Sequence, residues 1–180
     1  YNEIKGFKEP ENLEWKVSVC IGKATEALNR KFFEHESGME VSTYRWSDAQ
    51  FLDSADWRHA SYDGICLTPT NNWVPLECKH TYPTNNINKV AETYYAQLHH
   101  YMLVSGIDFI YLSVFFGNFE YQYCKVSKDK KYMKELIEQT NKFKKMLDDN
   151  IIPSRDVEEH KHIKSIVLDD MISIDYDKKK

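Results

Sequence analysis

Apolar residues recur at three- and four-residue spacing in three stretches of the chain, and this spacing predicts three α-helices. The first helix covers residues 21–36 and ends at Gly38, and the second covers residues 88–105 and ends at Gly106. The third covers residues 128–150, where one stripe of apolar side chains lies among many charged ones. An amphipathic pattern of this kind is typical of helices that pack on one side of a core.

Five shorter runs rich in apolar, aromatic and β-branched residues predict β-strands. The sequence Thr-Pro-Thr-Asn-Asn joins the second run to the third, and Gly-Asn joins the fourth to the fifth, so each pair is expected to form a hairpin. The runs are residues 39–44, 62–67, 73–79, 109–116 and 119–126. Residues 45–60 show no clear period and are interpreted as a loop.

The order of these elements is helix, strand, hairpin, helix, hairpin, helix. This order indicates an α/β (α+β) fold with a central mixed sheet flanked by helices. A chain of 180 residues is expected to form one domain. We divide it into an N-terminal segment (1–20), a core that carries the candidate chemistry (21–126), a long helix (127–152) and a C-terminal tail (153–180) with one apolar patch at residues 163–174.

The composition limits the classes of protein to consider. Apolar residues make up 42% of the chain, which is typical of a globular protein and argues against disorder. The net charge of −4 gives no overall basic field, which counts mildly against nucleic-acid binding but is compatible with a basic groove. We find no signal peptide and no apolar run of membrane-spanning length, so an intracellular, cytoplasmic protein without a membrane partner is expected.

The spacing of cysteine and histidine does not indicate a zinc site. The four cysteines are widely separated and form no CxxC pair, and the histidines form no HxxxH or HExxH pattern. Cys66 and Cys78 lie in apolar runs, where buried and reduced thiols are expected.

Two carboxylates and a lysine lie on the first predicted hairpin. Asp63 stands at the start of one strand, and Glu77 and Lys79 stand two residues apart on the next strand, so these two share a face. If the strands pair as a hairpin, Asp63 comes beside Glu77 and the two form a hard-oxygen site for Mg²⁺ or Mn²⁺, to which the backbone carbonyl of Cys78 can add a ligand. Such a cation is suited to phosphodiester hydrolysis, with Lys79 orienting the attacking water or neutralising charge.

The residues around Asp63, Glu77 and Lys79 favour a functional site over an ordinary solvent-exposed strand surface. A Glu-x-Lys step alone is most often a solvated face, but Ile65 and Leu76 set these acids in apolar runs, where charges need partners or a metal ion. The second helix then places Gln97 and Tyr101 four residues apart on one face, with Tyr94 nearby. An amide and a phenol there can bind a phosphate or a base; the alternative is that both tyrosines are core or interface aromatics.

Three motifs in this order resemble the PD-(D/E)xK nuclease superfamily, and within it the phage-type recombination exonucleases of the YqaJ and lambda-exonuclease group. Residues 60–65, ASYDGI, are similar to that group's ASPDGL, with Tyr62 in place of proline. Residues 94–102, YYAQLHHYM, are similar to its YYxQxQxYM, with His99 in place of glutamine. The first helix, GKATEA followed by SGMEV, resembles its Gly-x-x-x-Glu helix that ends in Thr-Gly-x-x-Val. The resemblance spans about residues 21–116.

The resemblance implies a restriction-endonuclease-like fold and a Mg²⁺-dependent exonuclease, with Mn²⁺ as the alternative cation. The expected substrate is the end of linear double-stranded DNA, digested 5′ to 3′ to give single strands for recombination. In this family the glutamate of the first helix supports the metal site, which corresponds to Glu26. An arginine grips the 5′-phosphate, and the candidates for that role are Arg30, Arg45 and Arg58, with Tyr94 as a further DNA contact.

The same resemblance implies a toroidal homotrimer and a single-strand annealing protein as partner. It also implies that the protein is encoded by a bacterium or a phage, or acts in the host cell of a virus. Two other functions are compatible with these residues. One is a structure- or sequence-specific endonuclease of the same fold, which would cut a closed circle. The other is an inactive DNA-binding module, against which the presence of Asp63, Glu77 and Lys79 together argues. The lysines of the third helix are most simply its solvated face, or else they line a DNA channel.

Overall fold

A six-stranded sheet with four helices forms the part of the chain that the structure, a computed structural model, describes: residues 1–43, 57–153 and, for the backbone alone, 168–174. The helices are α1 (Val17–Ser37), α2 (Ile87–Thr93), α3 (Tyr95–Ser105) and α4 (Lys130–Asp148). The strands are β1 (Val41–Ser42), β2 (Gly64–Leu67), β3 (Trp73–Thr81), β4 (Phe109–Phe116), β5 (Glu120–Ser127) and β6 (Leu168–Ile174).

The strands lie in the sheet in the same order as in the sequence, from β1 to β6. All neighbours are antiparallel except β3 and β4, which are parallel. A parallel pair needs a crossover connection, and α2 with α3 supplies it. The expectation of a central mixed sheet flanked by helices in an α/β (α+β) fold is therefore confirmed.

The two faces of the sheet are covered by different helices. On one face, Phe33 of α1 packs with Leu76 and Cys78 of β3. On the other face, Leu112 and Val114 of β4 form a core with residues of α2, α3 and α4. Residues directly opposite each other on paired strands share a face, and Leu112 is opposite Glu77. The candidate acids therefore lie on the face covered by α2 and α3.

Most predicted elements are present, with shifted ends. The strand at residues 109–116 has the predicted bounds, and both predicted hairpins form. Helix α1 begins four residues earlier than predicted because its first turn is solvent-exposed, Val17 to 70%, and so shows no apolar periodicity. Strand β1 has only two residues, Val41 and Ser42, whereas residues 39–44 were predicted. Tyr44, the last residue of that predicted strand, lies outside the described part of the chain.

Two features of the fold were not predicted. The helix expected over residues 88–105 is divided at Tyr94, whose backbone departs from helical geometry with φ −101° and ψ 12°. The last seven residues of the apolar patch at 163–174 form the edge strand β6, which pairs with β5. Within the described ranges, no helix combines the length and the apolar character needed to cross a bilayer.

Candidate active site

Asp63 and Glu77 are brought together by the β2–β3 hairpin. Gly64 is paired with Leu76, and continuing this antiparallel register sets Asp63 opposite Glu77. The side-chain oxygen Oδ2 of Asp63 accepts a hydrogen bond of 2.8 Å from the backbone N–H of Cys78. The hairpin geometry expected from the sequence is thus confirmed, and a backbone donor fixes the orientation of the first carboxylate.

Glu77 is the most deeply buried acid of this group, with a relative exposure of 2%. Its Oε1 is paired with the ammonium group of Lys79, whereas its Oε2 is buried without a hydrogen-bond donor among the described residues. Burial raises the pKa of Glu77 to about 8, and the neighbouring charge of Asp63 adds to this effect against the opposing charge of Lys79. Burial also raises the pKa of Asp63. Each carboxyl group thus has one partner, Lys79 for Glu77 and the Cys78 N–H for Asp63, but burial still disfavours its ionised form.

Lys79 lies at the edge of the same group. Its Nζ contacts Glu77 and stands 4.4 Å from the centre of the Tyr94 ring, a cation–π distance. Burial acts to lower the pKa of Lys79, but the carboxylates of Glu77 and Asp63 outweigh this effect and the pKa is raised. The lysine therefore remains charged, held between an acid and an aromatic face. The break between α2 and α3 occurs at Tyr94 itself.

Helix α1 contributes Glu26 and Arg30 from the opposite face of the sheet. The two side chains form an i,i+4 ion pair, and Nη1 of Arg30 also donates to the backbone oxygen of Asp63 at 2.8 Å. Gly64 makes this approach feasible, since a Cβ added there would lie 2.9 Å from Cγ1 of Val41 and 3.2 Å from Cδ of Arg30. Arg30 is therefore tied to the loop end that carries Asp63.

Gln97 and Tyr101 share a face of α3, as their spacing predicted. Nε2 of Gln97 donates to the hydroxyl of Tyr101 at 2.8 Å. The Tyr62 ring meets the Tyr101 ring edge-on at 5.1 Å. Burial, and then the negative charge of Glu77, raise the pKa of Tyr101, so this phenol stays protonated beside the two acids. Tyr101 is half-buried, so its ring packs against the core while its hydroxyl lies near the acids of the site.

The three candidate arginines have different surroundings. Arg30 is next to Asp63, as described above, and Arg45 lies outside the described residues. Arg58 is buried, with a relative exposure of 5%, and its Nη2 donates to Thr140 Oγ1 at 3.3 Å and Asn141 Oδ1 at 2.5 Å. These contacts join Arg58 to α4 and account for its burial. Of the two arginines that the structure describes, only Arg30 contacts the acidic group.

A buried polar cluster behind the site was not predicted. Asn29 of α1, Ser113 of β4 and Tyr121 of β5 are almost fully buried and are linked by hydrogen bonds. Asn29 also contacts the backbone of Lys79. The sequence does contain a signal, because Ser113 interrupts the apolar run Phe-Ile-Tyr-Leu-Ser-Val-Phe-Phe and Asn29 falls on the buried side of a helix.

The donor set fits a divalent cation through its chemistry. Among the described residues, no three histidine, cysteine or acidic side chains are grouped as a metal site. Two carboxylates of hard-oxygen character do stand together, and the buried Oε2 of Glu77 has no donor in the described part of the chain. The third acid, Glu26, is engaged with Arg30. A cation beside Glu77 would remove the cost of burying that oxygen.

Comparison with known proteins identifies the family. Residues 2–108, more than half of the chain, match the family described as the YqaJ-like viral recombinase domain. The fold is similar to the crystal structure of LHK-Exo in complex with dAMP, with a TM-score of 0.56, 15% sequence identity, and coverage of 83% of this chain and 75% of that one. No match of comparable significance is found among curated proteins. The chain therefore belongs to the YqaJ-like viral recombinase domain family, and it is a recombination nuclease, a hydrolase that acts on DNA.

Proposed function

We propose that this nuclease is a Mg²⁺-dependent exonuclease that digests linear double-stranded DNA from its ends in the 5′-to-3′ direction and leaves single strands for recombination. The observation that carries the proposal is the buried carboxylate of Glu77, whose Oε2 has no donor among the described residues and which lies beside Asp63 and Lys79. A fold does not retain such an oxygen for stability, because it costs free energy unless a cation or donor is supplied.

Asp63 and Glu77 would hold the cation, which is Mg²⁺ or Mn²⁺. The backbone carbonyl of Cys78 and the carboxylate of Glu26 are the further ligands that we assign, and Glu26 would have to exchange its pairing with Arg30 to contribute. When bound, a cation of this kind polarises the scissile phosphate and lowers the pKa of water. The raised pKa values of Asp63 and Glu77 support this assignment, because a bound cation would offset the burial that disfavours their ionised forms.

Lys79 would act on the attacking water and on the phosphate. Its ammonium group is pinned between Glu77 and the Tyr94 ring, so that its position is set before substrate arrives. A fixed positive charge at that place stabilises negative charge that grows in the transition state. The protonated phenol of Tyr101, oriented by Gln97, would donate a hydrogen bond to a phosphate oxygen.

The end of the DNA is proposed to be recognised by Arg30, with Tyr94 as a further contact. The guanidinium of Arg30 is near Asp63 and its side chain is 19% exposed, which leaves one side accessible to a phosphate. Arg45, which lies outside the described residues, stays an alternative for this role, and Arg58 is a weaker candidate. Arg58 would have to leave its partners on α4 to reach DNA.

The assembly expected for this exonuclease is a homotrimeric ring around DNA, working with a single-strand annealing protein inside the cell. A ring needs positive potential only along its channel, which accommodates a net charge of −4. Large apolar side chains that are exposed on the N-terminal segment and on α1 support a contact with another subunit. They are Ile4, Phe7, Leu13, Trp15, Val17, Ile21 and Leu28.

The decisive experiment is digestion of an end-labelled linear duplex, with and without a 5′-phosphate, beside a covalently closed circle of the same sequence. We expect Mg²⁺-dependent loss of the 5′ label from the linear duplex, faster when the end is phosphorylated, and an intact circle. Cutting of the circle would identify an endonuclease, release of the 3′ label first would reverse the direction, and full activity in excess EDTA would exclude the metal.

A matched pair of variants ties this activity to the site. Glu77→Gln removes a buried acid, and Glu138→Gln removes an acid on α4 whose side chain is 64% exposed. We expect the first variant to be inactive and the second to digest the linear duplex at the wild-type rate. Equal rates for the two variants would reject Glu77 as part of the active site.

A further inference from the structure

Asn29 lies at the centre of a buried hydrogen-bond network between α1 and the sheet. Its relative exposure is 1%, and that of its partner Ser113 is 0%. Nδ2 of Asn29 donates to the backbone oxygens of Lys79 at 3.0 Å and Ser113 at 3.2 Å. Oδ1 of Asn29 accepts from the hydroxyl of Ser113 at 2.5 Å. One side chain of α1 therefore bridges two neighbouring parallel strands.

The orientation of this amide follows from its partners. Backbone oxygens only accept hydrogen bonds, so the NH₂ group of Asn29 must face Lys79 and Ser113. The Ser113 hydroxyl gives its single hydrogen to Oδ1 of Asn29, and the Tyr121 hydroxyl, 2.7 Å away, therefore donates to Ser113. A planar amide meets these three partners at once, which neither an aspartate nor an apolar residue of similar size can do.

The location of Asn29 connects this hydrogen-bond network to the candidate active site. Glu26 is three residues before Asn29 and four residues before Arg30, so its side chain neighbours both on the surface of α1. The backbone oxygen that Asn29 contacts belongs to Lys79, the residue whose side chain pairs with Glu77. The bridge thus joins the helix that carries Glu26 and Arg30 to the strand that carries the lysine of the site.

We propose that Asn29 is a positioning residue, which holds α1 against β3 so that Glu26 and Arg30 stay in place beside Asp63 and the backbone of Lys79 is fixed. This inference rests on the proposed function, since it assigns a role in the same site. A well-packed apolar residue would stabilise the interior at least as well as a buried polar network, whereas only directional bonds fix the rotation and the shift of one helix along a strand.

The test compares Asn29→Leu with Phe33→Leu. Phe33 lies one turn further along α1, is fully buried, and contacts the rings of Tyr111 and Tyr123 at 5.4 and 5.2 Å, but it has no polar link to β3. Both variants are expected to lower the melting temperature. Only Asn29→Leu should lower kcat on linear duplex, by about 10- to 100-fold, because a misplaced site slows turnover, and the displacement of Arg30, the proposed contact of the DNA end, should also raise KM.

A second variant, which removes only one bond of the network, tests whether the loss of kcat depends on the number of bonds lost. Ser113→Ala removes the donor to Oδ1 of Asn29 and leaves both bonds from its Nδ2, so its loss of kcat should be smaller than that of Asn29→Leu. Equal losses of kcat in Asn29→Leu and Phe33→Leu at similar melting temperatures would overturn the proposal, because general loosening of α1 would then explain both.

Hydrogen exchange distinguishes failure of this inference from failure of the proposed function. Backbone amides of residues 24–31 and 77–81 should exchange faster in Asn29→Leu than in Phe33→Leu, well below either melting temperature and without DNA or metal. If wild type degrades no DNA, the proposed function fails, and exchange alone then decides whether Asn29 joins α1 to β3. Equal exchange in the two variants overturns the inference whatever the activity of wild type.

Discussion

Two buried polar groups lie on the side of the sheet that α2, α3 and α4 cover, one around Glu77 and one around His99, and they differ in how many of their polar atoms are hydrogen-bonded. Glu77 has a buried Oε2 without a donor in the described part of the chain. His99, fully buried in α3, bonds through both ring nitrogens: Nδ1 donates to the backbone oxygen of Tyr95, and Nε2 accepts from the backbone N–H of Asp129, each at 3.0 Å.

This difference indicates that the group around Glu77 is a candidate active site, whereas the group around His99 connects two helices. His99 must be neutral, since the carbonyl only accepts and the N–H only donates, and its ring ties α3 to the start of α4. Asp129 caps that helix by accepting from the backbone N–H groups of Lys131 and Tyr132. Complete satisfaction lowers the free energy of the fold, whereas the incomplete group around Glu77 raises it and is retained for another reason.

Replacement of Glu77 by glutamine is expected to have the largest effect on activity. Loss of roughly 4 kcal/mol of transition-state stabilisation corresponds to about a thousandfold in kcat. The free energy of unfolding should stay within about 1 kcal/mol of wild type or rise, because a neutral amide is less costly to bury than a carboxylate with one oxygen that has no donor among the described residues. Duplex degradation in Mg²⁺ and urea unfolding measure the two quantities. A loss of more than about 3 kcal/mol in the free energy of unfolding would instead mean that Glu77, like His99, mainly stabilises the fold.

Replacement of His99 by leucine is expected to do the reverse. The backbone oxygen of Tyr95 and the backbone N–H of Asp129 lose the ring as their partner, the buried volume of the ring is refilled imperfectly, and about 2–4 kcal/mol of unfolding free energy should be lost. Urea unfolding measures this loss. Activity per folded molecule should match wild type at a temperature where both are folded, and a large loss of kcat there would show that the two groups are coupled.

The same leucine variant tests the charge state of His99. Burial lowers the pKa of His99 below the ordinary value of 6.5, so below that pH the unfolded chain binds a proton that the folded one does not. Wild type should therefore lose stability as pH falls through 6.5, by up to about 1.4 kcal/mol per pH unit. The difference between wild type and His99→Leu in urea unfolding at pH 7.5 and pH 5.5 isolates this residue. A difference that does not change with pH would mean that the ring is not neutral.

The smallest of these effects concerns Tyr94. Tyr94→Leu removes the aromatic face beneath Lys79, worth about 1 kcal/mol, and kcat should fall about fivefold. Tyr94→Phe keeps the ring and should retain wild-type kcat. If phenylalanine lowers kcat as much as leucine does, the hydroxyl rather than the ring matters, and the cation–π contact with Lys79 is rejected as the reason for Tyr94.

The parts of the site that could be predicted are those set by local geometry. Strand alternation and one hairpin register are enough to bring Asp63, Glu77 and Lys79 together, and helical spacing is enough for Gln97 and Tyr101. These relations depend on residues close in the chain, so the sequence contains them directly.

The parts that could not be predicted depend on contacts between distant residues. Arg58 was a candidate for binding DNA, yet its partners on α4 are more than 80 residues away in the chain and bury it. Strand β6 pairs with β5 through its backbone, and its two adjacent aspartates break the alternation that marks a strand. The division of the second helix at Tyr94 coincides with the position of Lys79 above its ring, a tertiary contact.

The separation of the site's parts along the chain has a consequence for the order of folding. The bond between Asp63 and Cys78 spans 15 residues, whereas those from Asn29 to Lys79 and to Ser113 span 50 and 84. Closing long loops costs more entropy and slows folding, so the acid pair should form with its hairpin, and α1 should dock later. Pulse-labelled exchange during refolding should protect residues 64–79 before residues 24–31. A partly folded chain would then hold both acids on their hairpin before α1 docks and completes their surroundings.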